Sequence, residues 1–189
     1  MYEYIQGKLD QLTAATAVVD CGGVGYLLDI TLNTYSAIQE KKEVRLWVHE
    51  IIREDAFQLC GFYSLAEREM FRQLISISGV GASTARMILS SLSVEELTNA
   101  IASQDAKMVQ RVKGVGAKTA QRIVLELQDK VSGSTLGATP AAPASRNKEE
   151  ALSALVMLGF PKAAADKVLQ PLANTLSVEE LIKEALQRL

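Results

Sequence analysis

The chain has 189 residues, 48% of them hydrophobic, which is enough to bury two or three small cores. Its formal net charge of −2 excludes a uniformly basic polyanion binder, so the distribution of charge is more informative than its sum. We recognise no signal peptide and no apolar run of membrane-spanning length, and we expect a cytoplasmic protein. Because Cys21 and Cys60 show neither CxxC spacing nor a histidine cluster, we expect reduced core thiols, no metal site and no cofactor.

Residues 1 to about 63 are predicted to form a small all-β domain. Five segments are rich in β-branched and aromatic residues, namely Tyr4–Leu9, Ala17–Cys21, Tyr26–Leu32, Val44–Ile52 and Phe57–Phe62. Five strands in a segment of this length are typical of an OB-fold barrel. Such barrels usually bind single-stranded nucleic acid through basic grooves. Here residues 1–63 contain five basic and nine acidic residues, a net charge of −4, so we expect a different role.

An acidic turn, Arg53-Glu54-Asp55, is predicted between the last two strands. The sequence leaves three interpretations of its carboxylates open. Paired carboxylates can perform acid–base chemistry or bind a metal. They can form a solvated turn without further function, or their charge can repel phosphates held nearby, an effect that low ionic strength enlarges.

The middle of the chain, residues 64–131, carries nine basic and seven acidic residues and contains a repeat. Ser78–Ala85 (SGVGASTA) and Lys113–Ala120 (KGVGAKTA) align at an offset of 35 positions, and seven pairs in and just after these segments are identical. Apolar residues at helical spacing flank both copies, which predicts helix, tight turn, helix twice. A capping-box pattern at Ser64 and Glu67 predicts the start of the helix that leads to the first turn.

The two glycines of each Gly-Val-Gly turn allow positive φ and leave room for another backbone to approach. Each turn leads directly into a helix, whose first amides lack intrahelical partners and carry the positive end of the helix dipole. Phosphate is the usual anion at such a site. The central valines are predicted to pack inward. These residues resemble the helix-hairpin-helix family, which binds the DNA backbone, and the alternative is a pair of turns in an ordinary helical bundle.

The candidate DNA-binding residues lie in and just after the two turns. They are Gly79, Val80, Gly81, Ser83 and Thr84 in the first copy, and Lys113, Gly114, Val115, Gly116, Lys118, Thr119 and Arg122 in the second. The first copy has Ala82-Ser83 where the second has Ala117-Lys118, so most of the positive charge should come from the second copy. We therefore expect Lys118→Ala to weaken DNA binding more than Arg86→Ala.

A helix is predicted up to about Val131, after which the composition changes abruptly. Thirteen of the 17 residues Ser132–Lys148 are Ser, Thr, Gly, Pro or Ala, which predicts a flexible linker. Residues 149–189 show helical spacing and predict a three-helix (UBA-like) domain, near the lower size limit for independent folding. The identical segments Leu92–Leu97 and Leu176–Leu181 each predict a helix start. A small domain on a linker is suited to binding another protein.

The order of these parts resembles the RuvA family of Holliday-junction-recognition subunits. The parts are an OB-fold barrel at 1–63, tandem helix-hairpin-helix motifs at 64–131, a linker at 132–148 and a three-helix domain at 149–189. Shorter motifs add to the resemblance, namely Gly22-Gly23-Val24-Gly25-Tyr26, Arg53-Glu54-Asp55, Leu59–Phe62 and Leu155–Phe160. The resemblance implies a homotetramer that holds a four-way DNA junction open and square and recognises its shape and not its sequence. It also implies a place in recombination, DNA repair and the SOS response.

The resemblance implies roles for residues outside the two turns as well. Glu54 and Asp55 match the family's acidic pin, which keeps strands apart near the junction centre. The C-terminal domain would hold RuvB, the ATP-driven motor of branch migration, and the junction-cutting nuclease RuvC would act on the same assembly. The positions assigned to motor contact are Leu155, Leu158, Phe160 and Leu186, the last of them only from the alignment of the chain ends.

Two other functions compete with this interpretation. A glycosylase or nuclease would need a catalytic Lys or Asp beside a base pocket, or clustered carboxylates for metal, and we find no such cluster after Lys118. A P-loop is missing too, so ATP hydrolysis is expected to belong to a partner and this chain to be non-catalytic. The other competitor is a generic module that binds the duplex backbone and assists a DNA repair nuclease.

Overall fold

The computed structural model describes residues 1–133, 143–173 and 176–188. The chain divides into two compact units, Met1–Leu136 and Gly137–Leu189, each with its own hydrophobic core. The first unit contains the barrel and the paired hairpins, and the second contains the C-terminal helices. No helix in these described ranges is both long and apolar enough to cross a membrane.

The predicted five-stranded barrel is confirmed. Its strands are β1 (Tyr4–Leu12), β2 (Thr16–Asp20), β3 (Gly25–Ile30), β4 (Glu43–Ile52) and β5 (Phe57–Phe62), and they close in the order β1-β2-β3-β5-β4. All neighbouring strands are antiparallel except β3 and β5, which pair in parallel. In that pair Asp29 lies opposite Cys60 and Ile30 lies opposite Gly61. In β4 the sequence alternates apolar Val44, Leu46 and Val48 with Arg45, Trp47 and His49, and the three apolar side chains lie in the barrel core.

A short helix that the sequence did not reveal, α1 (Leu32–Ile38), connects β3 to β4. The hydroxyl of Thr31 accepts a hydrogen bond from the amide of Thr34 at 3.0 Å and so caps the helix start. Ile38 at its other end is buried in the barrel core. Because α1 lies between the barrel and the helical region, it positions the functional site described below.

The helical part of the first unit consists of α2 (Leu65–Ile75), α3 (Ala82–Ser91), α4 (Val94–Ala102), α5 (Ala106–Gln110) and α6 (Ala117–Gly133). Its core includes Phe71, Leu74, Leu89 and Ile123, and Phe62 of the barrel joins the same cluster. The predicted start of α2 is confirmed, because the Ser64 hydroxyl accepts from the amide of Glu67 at 3.1 Å. The capping box is incomplete, since the Glu67 carboxylate bonds elsewhere.

The second unit contains α7 (Pro143–Met157), α8 (Lys162–Leu169) and α9 (Val178–Leu186), as the three-helix prediction required. The predicted linker, residues 132–148, falls mainly on residues 134–142, which lie outside the described residues. At its described ends, residues 132–133 belong to α6 and Pro143 begins α7. The first position of a helix favours proline, whose missing N–H is not needed there.

The two identical segments that predicted helix starts both form complete capping boxes. At α4 the Ser93 hydroxyl accepts from the Glu96 amide, and the Glu96 carboxylate accepts from the Ser93 amide. Ser177 and Glu180 repeat the arrangement at α9. Both carboxyl groups have a lowered pKa because they accept hydrogen bonds from the serine backbone and side chain.

Candidate nucleic-acid interface

The first Gly-Val-Gly turn joins α2 to α3 and is called here the first corner, Ser78–Ser83. Gly79 has a φ of +88°, a region in which a side chain would be strained. The amide of Val80 donates to the carbonyl of Ile77 at 3.0 Å, and the Val80 side chain is buried in the core as predicted. Gly81 occupies the N-cap position of α3 in an extended conformation.

The second corner, Lys113–Lys118, joins α5 to α6 and repeats this geometry. Gly114 also has a φ of +88°, and the amide of Val115 donates to Val112 at 3.1 Å. The first intrahelical bond is 2.9 Å long in both copies, from Ala85 to Gly81 and from Ala120 to Gly116. The two corners are therefore matched in backbone conformation as well as in sequence.

Free amide groups line the outer face of both corners. Within the residues that the structure describes, no protein acceptor binds the N–H groups of Gly81, Ala82 and Ser83, nor those of Gly116, Ala117 and Lys118. A Cβ atom built on Gly81 or Gly116 would meet nothing within 4 Å. Their backbones are not in the positive-φ region either, so the fold itself does not require glycine there. The corners are open to solvent and suited to close approach by an anion.

The cations near the corners differ in their availability. Lys113 and Lys118 are exposed, and no carboxylate of the described part of the chain forms an ion pair with either. Arg86 pairs with Asp29 of β3 at 3.0 Å and is mostly buried. Arg122 donates from Nη1 to the Ser78 carbonyl at 3.0 Å, and its Nε lies 3.6 Å from Glu126, so its guanidinium has partners within the protein.

The remaining candidate side chains are hydroxyls beside the free amides. Ser83 is exposed, and Thr84 and Thr119 are half-buried. Val80 and Val115 are buried, so they can contribute to binding only by holding the corners in place and not by side-chain contact.

The end of α3 is attached to the barrel through α1. The side-chain amide of Asn33 donates to the carbonyls of Leu89 and Leu92, at 2.6 and 3.1 Å. The amide of Leu32 donates to the Ser90 hydroxyl at 3.1 Å. Sequence reasoning missed Asn33, because an asparagine that caps a helix 56 residues away leaves no local pattern.

A buried carboxyl group, Glu67 of α2, provides a second attachment. It accepts hydrogen bonds from the hydroxyls of Thr31 at 2.5 Å and Thr34 at 2.8 Å. Burial raises the pKa of Glu67, and the two threonine hydrogen bonds oppose that rise. The carboxyl group therefore links the helix before the first corner to α1.

The acidic turn forms the exposed tip of the β4–β5 hairpin. Arg53 and Ala56 close it, with the Arg53 amide donating to Ala56 at 2.8 Å and the Ala56 amide donating back at 3.4 Å. Glu54 and Asp55 occupy the two exposed positions between them. Ile52 and Phe57, which pair across the hairpin just below, are 70% and 60% exposed. The sequence placed these two residues in strands but gave no sign of their exposure.

A groove of about 360 Å³ lies between this hairpin and the first corner. Ile52 and Arg53 line one side of it, and Val80, Gly81 and Ala82 line the other. The base of the acidic hairpin and the first corner therefore line one groove.

In the second unit the four candidate motor-binding residues fall into two groups. Leu155 is fully buried in the core of this unit, so its side chain is not exposed to a partner in this structure. Leu158 and Leu186 are 62% and 45% exposed, and Phe160 is half-buried against the core. Gly159, with a φ of +100°, ends α7 and allows the Phe160 amide to bond the Leu155 carbonyl at 3.1 Å.

His49 and the two cysteines are partly or fully buried in the fold. His49 packs its ring against Phe71 at 5.4 Å, and burial, followed by the charge of Arg72, lowers its pKa. Cys60 is buried and its pKa is raised to about 11, while Cys21 is only partly buried. Among the residues described, no three His, Cys, Asp or Glu side chains are grouped as a metal site would require.

Three family models match the chain in sequence order. They are the RuvA N terminal domain over residues 1–61, the SAM-like helix-hairpin-helix tandem over 71–129 and the RuvA C-terminal domain over 146–189. Similar proteins include one from Bacteroides thetaiotaomicron at 48% identity, one from Christiangramia forsetii at 45% and one from Porphyromonas gingivalis at 44%. Each is named Holliday junction branch migration complex subunit RuvA, and each alignment covers the whole of both chains. Together with the barrel and the two matched corners, these similarities show that the chain belongs to the RuvA family.

Proposed function

We propose that this chain binds four-way DNA junctions through the phosphate backbone and recruits the motor RuvB for branch migration. The observation that carries the proposal is the pair of matched corners, whose free amides face solvent and whose second glycines are not required by the fold. A glycine with empty space at its Cβ position is explained if a DNA backbone occupies that space.

The corners would hold phosphates mainly through neutral groups. The amides at the starts of α3 and α6 point outward, where the helix dipoles favour negative charge. Lys118 and Lys113 add positive charge at the second corner, and the Ser83, Thr84 and Thr119 hydroxyls can donate hydrogen bonds. Contacts of this kind carry no base information, so recognition depends on the shape of the junction.

The acidic pin gives the barrel a role consistent with its net charge. Glu54 and Asp55 lie at the exposed tip of the hairpin whose base shares a groove with the first corner, so DNA held at that corner would approach two negative charges. Repulsion between carboxylates and phosphates is strongest at low salt and would keep strands apart at the crossover.

The complete site requires several copies of the chain. We infer a homotetramer with one set of corners for each arm, because four weak backbone contacts on one assembly reinforce each other. RuvC would act on the same assembly. The RuvB contact is assigned to exposed Leu158 and Leu186 together with the edge of Phe160, while Leu155 supports them from the core.

The experiment compares the affinity of the full chain for a four-way junction, a linear duplex and a single strand of equal length, at one salt concentration. We expect a strong preference for the junction, a tetramer mass by light scattering, and no hydrolysis of DNA or ATP by the chain alone. Replacing Glu54 and Asp55 by Gln and Asn should increase binding to linear duplex, most clearly at low salt. Equal affinity for junction and duplex would favour the generic backbone-binding module, and measurable hydrolysis would contradict the non-catalytic role.

The motor contact has its own test. Leu158→Ala and Leu186→Ala should reduce RuvB-dependent branch migration while leaving junction affinity unchanged. Exposed Val156 at the same helix end provides a control substitution, Val156→Ala. Loss of junction binding in the leucine variants would contradict the assignment.

A further inference from the structure

The two corners share one hydrophobic core, and a hydrogen bond from Arg122 joins them at the surface. Arg122 lies in α6, five residues after the start of that helix, and its Nη1 donates to the carbonyl oxygen of Ser78 at 3.0 Å. Ser78 directly precedes Gly79, so this bond fixes a peptide group of the first corner from a helix that begins at the second.

A second, weaker contact lies on another edge of the guanidinium, which is about half exposed. Its Nε lies 3.6 Å from Oε1 of Glu126, one helical turn further along α6. The planar guanidinium can satisfy both partners at once, which a lysine ammonium on a shorter stem matches less well. A direct phosphate contact by Arg122 would compete with both the Ser78 carbonyl and the Glu126 carboxylate.

The repeat does not provide a reciprocal link. When the two copies are aligned at an offset of 35 positions, Met87 of the first copy corresponds to Arg122 of the second. Ser78 of the first copy corresponds to Lys113 of the second. Methionine has no hydrogen-bond donor, so the first copy cannot hold the second in the same way. The link runs in one direction only, from the corner that carries a lysine to the corner that carries none.

We propose that Arg122 is a positioning residue that sets the spacing of the two corners, so that both bind phosphates of one arm together. This inference rests on the proposed DNA-binding function. Two weak sites fixed at the correct spacing bind better than two that must be ordered on binding, because the ordering cost is avoided. Arg122 thus acts on the DNA through the first corner.

The test is a double-mutant cycle on junction affinity with the full chain. Arg122→Gln should weaken binding by about 5–10-fold in the native background but less than about 2-fold when Gly81→Ala has already blocked the first corner. Lys118→Gln, the matched loss of one charge, should weaken binding by the same factor in both backgrounds. Equal losses for Arg122→Gln in both backgrounds would mean that Arg122 contacts phosphate directly, and the proposal would be overturned.

Two further measurements separate positioning from charge. Arg122→Lys keeps the charge, so the slope of log K against log salt should stay unchanged while affinity still falls. In the DNA-free protein, Arg122→Gln should shift the amide resonance of Gly79, whose peptide carbonyl belongs to Ser78, and leave those of Gly114 and Gly116 in place. Native-like affinity of Arg122→Lys, or an unmoved Gly79 resonance, would contradict the proposal.

The outcomes distinguish this inference from the function on which it rests. If the unmodified chain binds junction and linear duplex equally, the proposed function fails, and the Gly79 resonance still decides whether the link exists. If the chain prefers junctions but the cycle is additive, only the positioning role of Arg122 fails.

Discussion

The two corners share one backbone conformation but differ in what surrounds them. Both have glycine at a φ of +88°, a buried valine and a first helical bond of 2.9 Å. The second corner carries exposed Lys118 and Lys113, whereas the first carries exposed Ser83 and has its nearby Arg86 paired with Asp29. The backbone geometry suited to phosphate and the positive charge that would strengthen phosphate binding are therefore separable features of this fold.

The two corners also differ in the contacts that attach them to the rest of the unit. The first is attached to the barrel through Asn33 at the end of α3, through Glu67 in α2 and through the Arg86–Asp29 pair. The second is attached mainly within the helical region, where α6 packs on α4 and α5. We infer that the first corner contributes rigidity and the second contributes charge.

The largest expected effect tests what the corners have in common. Gly81→Ala and Gly116→Ala should each weaken junction binding at least about 10-fold, because a methyl group enters the space assigned to the DNA backbone. Stability should change by less than about 1 kcal/mol, because neither glycine lies at positive φ and the smaller unfolded-state entropy of alanine opposes the loss of a glycine N-cap at Gly81. Affinity and chemical denaturation of the same samples provide the two measurements.

Gly79→Ala and Gly114→Ala are the matched controls for those substitutions. Both lie at positive φ, so they should lower the free energy of unfolding by about 1–2 kcal/mol. If Gly81→Ala and Gly116→Ala bound junctions as well as the native chain, the open Cβ positions would have no part in binding.

The next effect concerns the charge that distinguishes the corners. Lys118→Ala should weaken junction binding by about 5–10-fold and reduce the salt slope by about 0.9 for each phosphate that the protein no longer neutralises. Arg86→Ala should leave the salt slope unchanged and instead destabilise the protein by about 1–2 kcal/mol, because mostly buried Asp29 loses its ion-pair partner and keeps only the hydrogen bond from Gln58. Equal affinities of the two variants at one salt concentration would count against the assignment.

A smaller gain should follow from making the corners alike. Ser83 is the repeat position that corresponds to Lys118, and its side chain is exposed. Ser83→Lys should therefore strengthen junction binding by about 3–10-fold and increase the salt slope by about 0.9 for each further phosphate that it neutralises. Titration at several salt concentrations measures both values, and Ser83→Gln controls for side-chain size. A lysine without effect would show that the first corner contacts no phosphate.

The smallest effect concerns the attachment of the first corner to the barrel. Because the pKa of Glu67 is raised in the folded chain, its stabilising contribution is complete below about pH 4.5 and is lost as the pH rises through the folded pKa. The difference in unfolding free energy between the native chain and Glu67→Gln should thus shift in favour of the variant as the pH rises above about 4.5. Exposed Glu96, whose pKa is lowered, should give the opposite trend in Glu96→Gln.

The sequence predicted those features that depend on local pattern. Alternation in β4, glycine spacing in the corners and capping residues at α4 and α9 act over a few positions, so they can be recognised without a structure. It did not predict features that depend on a partner far along the chain. Asn33 at the end of α3 and Arg122 on Ser78 join residues 44 or more positions apart.

The C-terminal unit shows a further limit of prediction from pattern. Leu155 and Leu158 are both leucines near the end of α7, and spacing alone did not separate them. In the fold, Leu155 lies in the core that α7 forms with α8 and α9, whereas Leu158 follows the last residue of α7 and is exposed. The fold, and not the spacing of the two leucines, therefore decides which of them is exposed to a partner.

The bond from Asn33 to the last turn of α3 has a mechanical consequence. The same helix begins at the first corner, and its ten residues span about 15 Å from end to end. A force on DNA bound at the first corner would therefore be transmitted along α3 to α1 and the closed barrel. When a motor moves a duplex arm past this chain, the closed barrel as well as the first corner would resist the applied force.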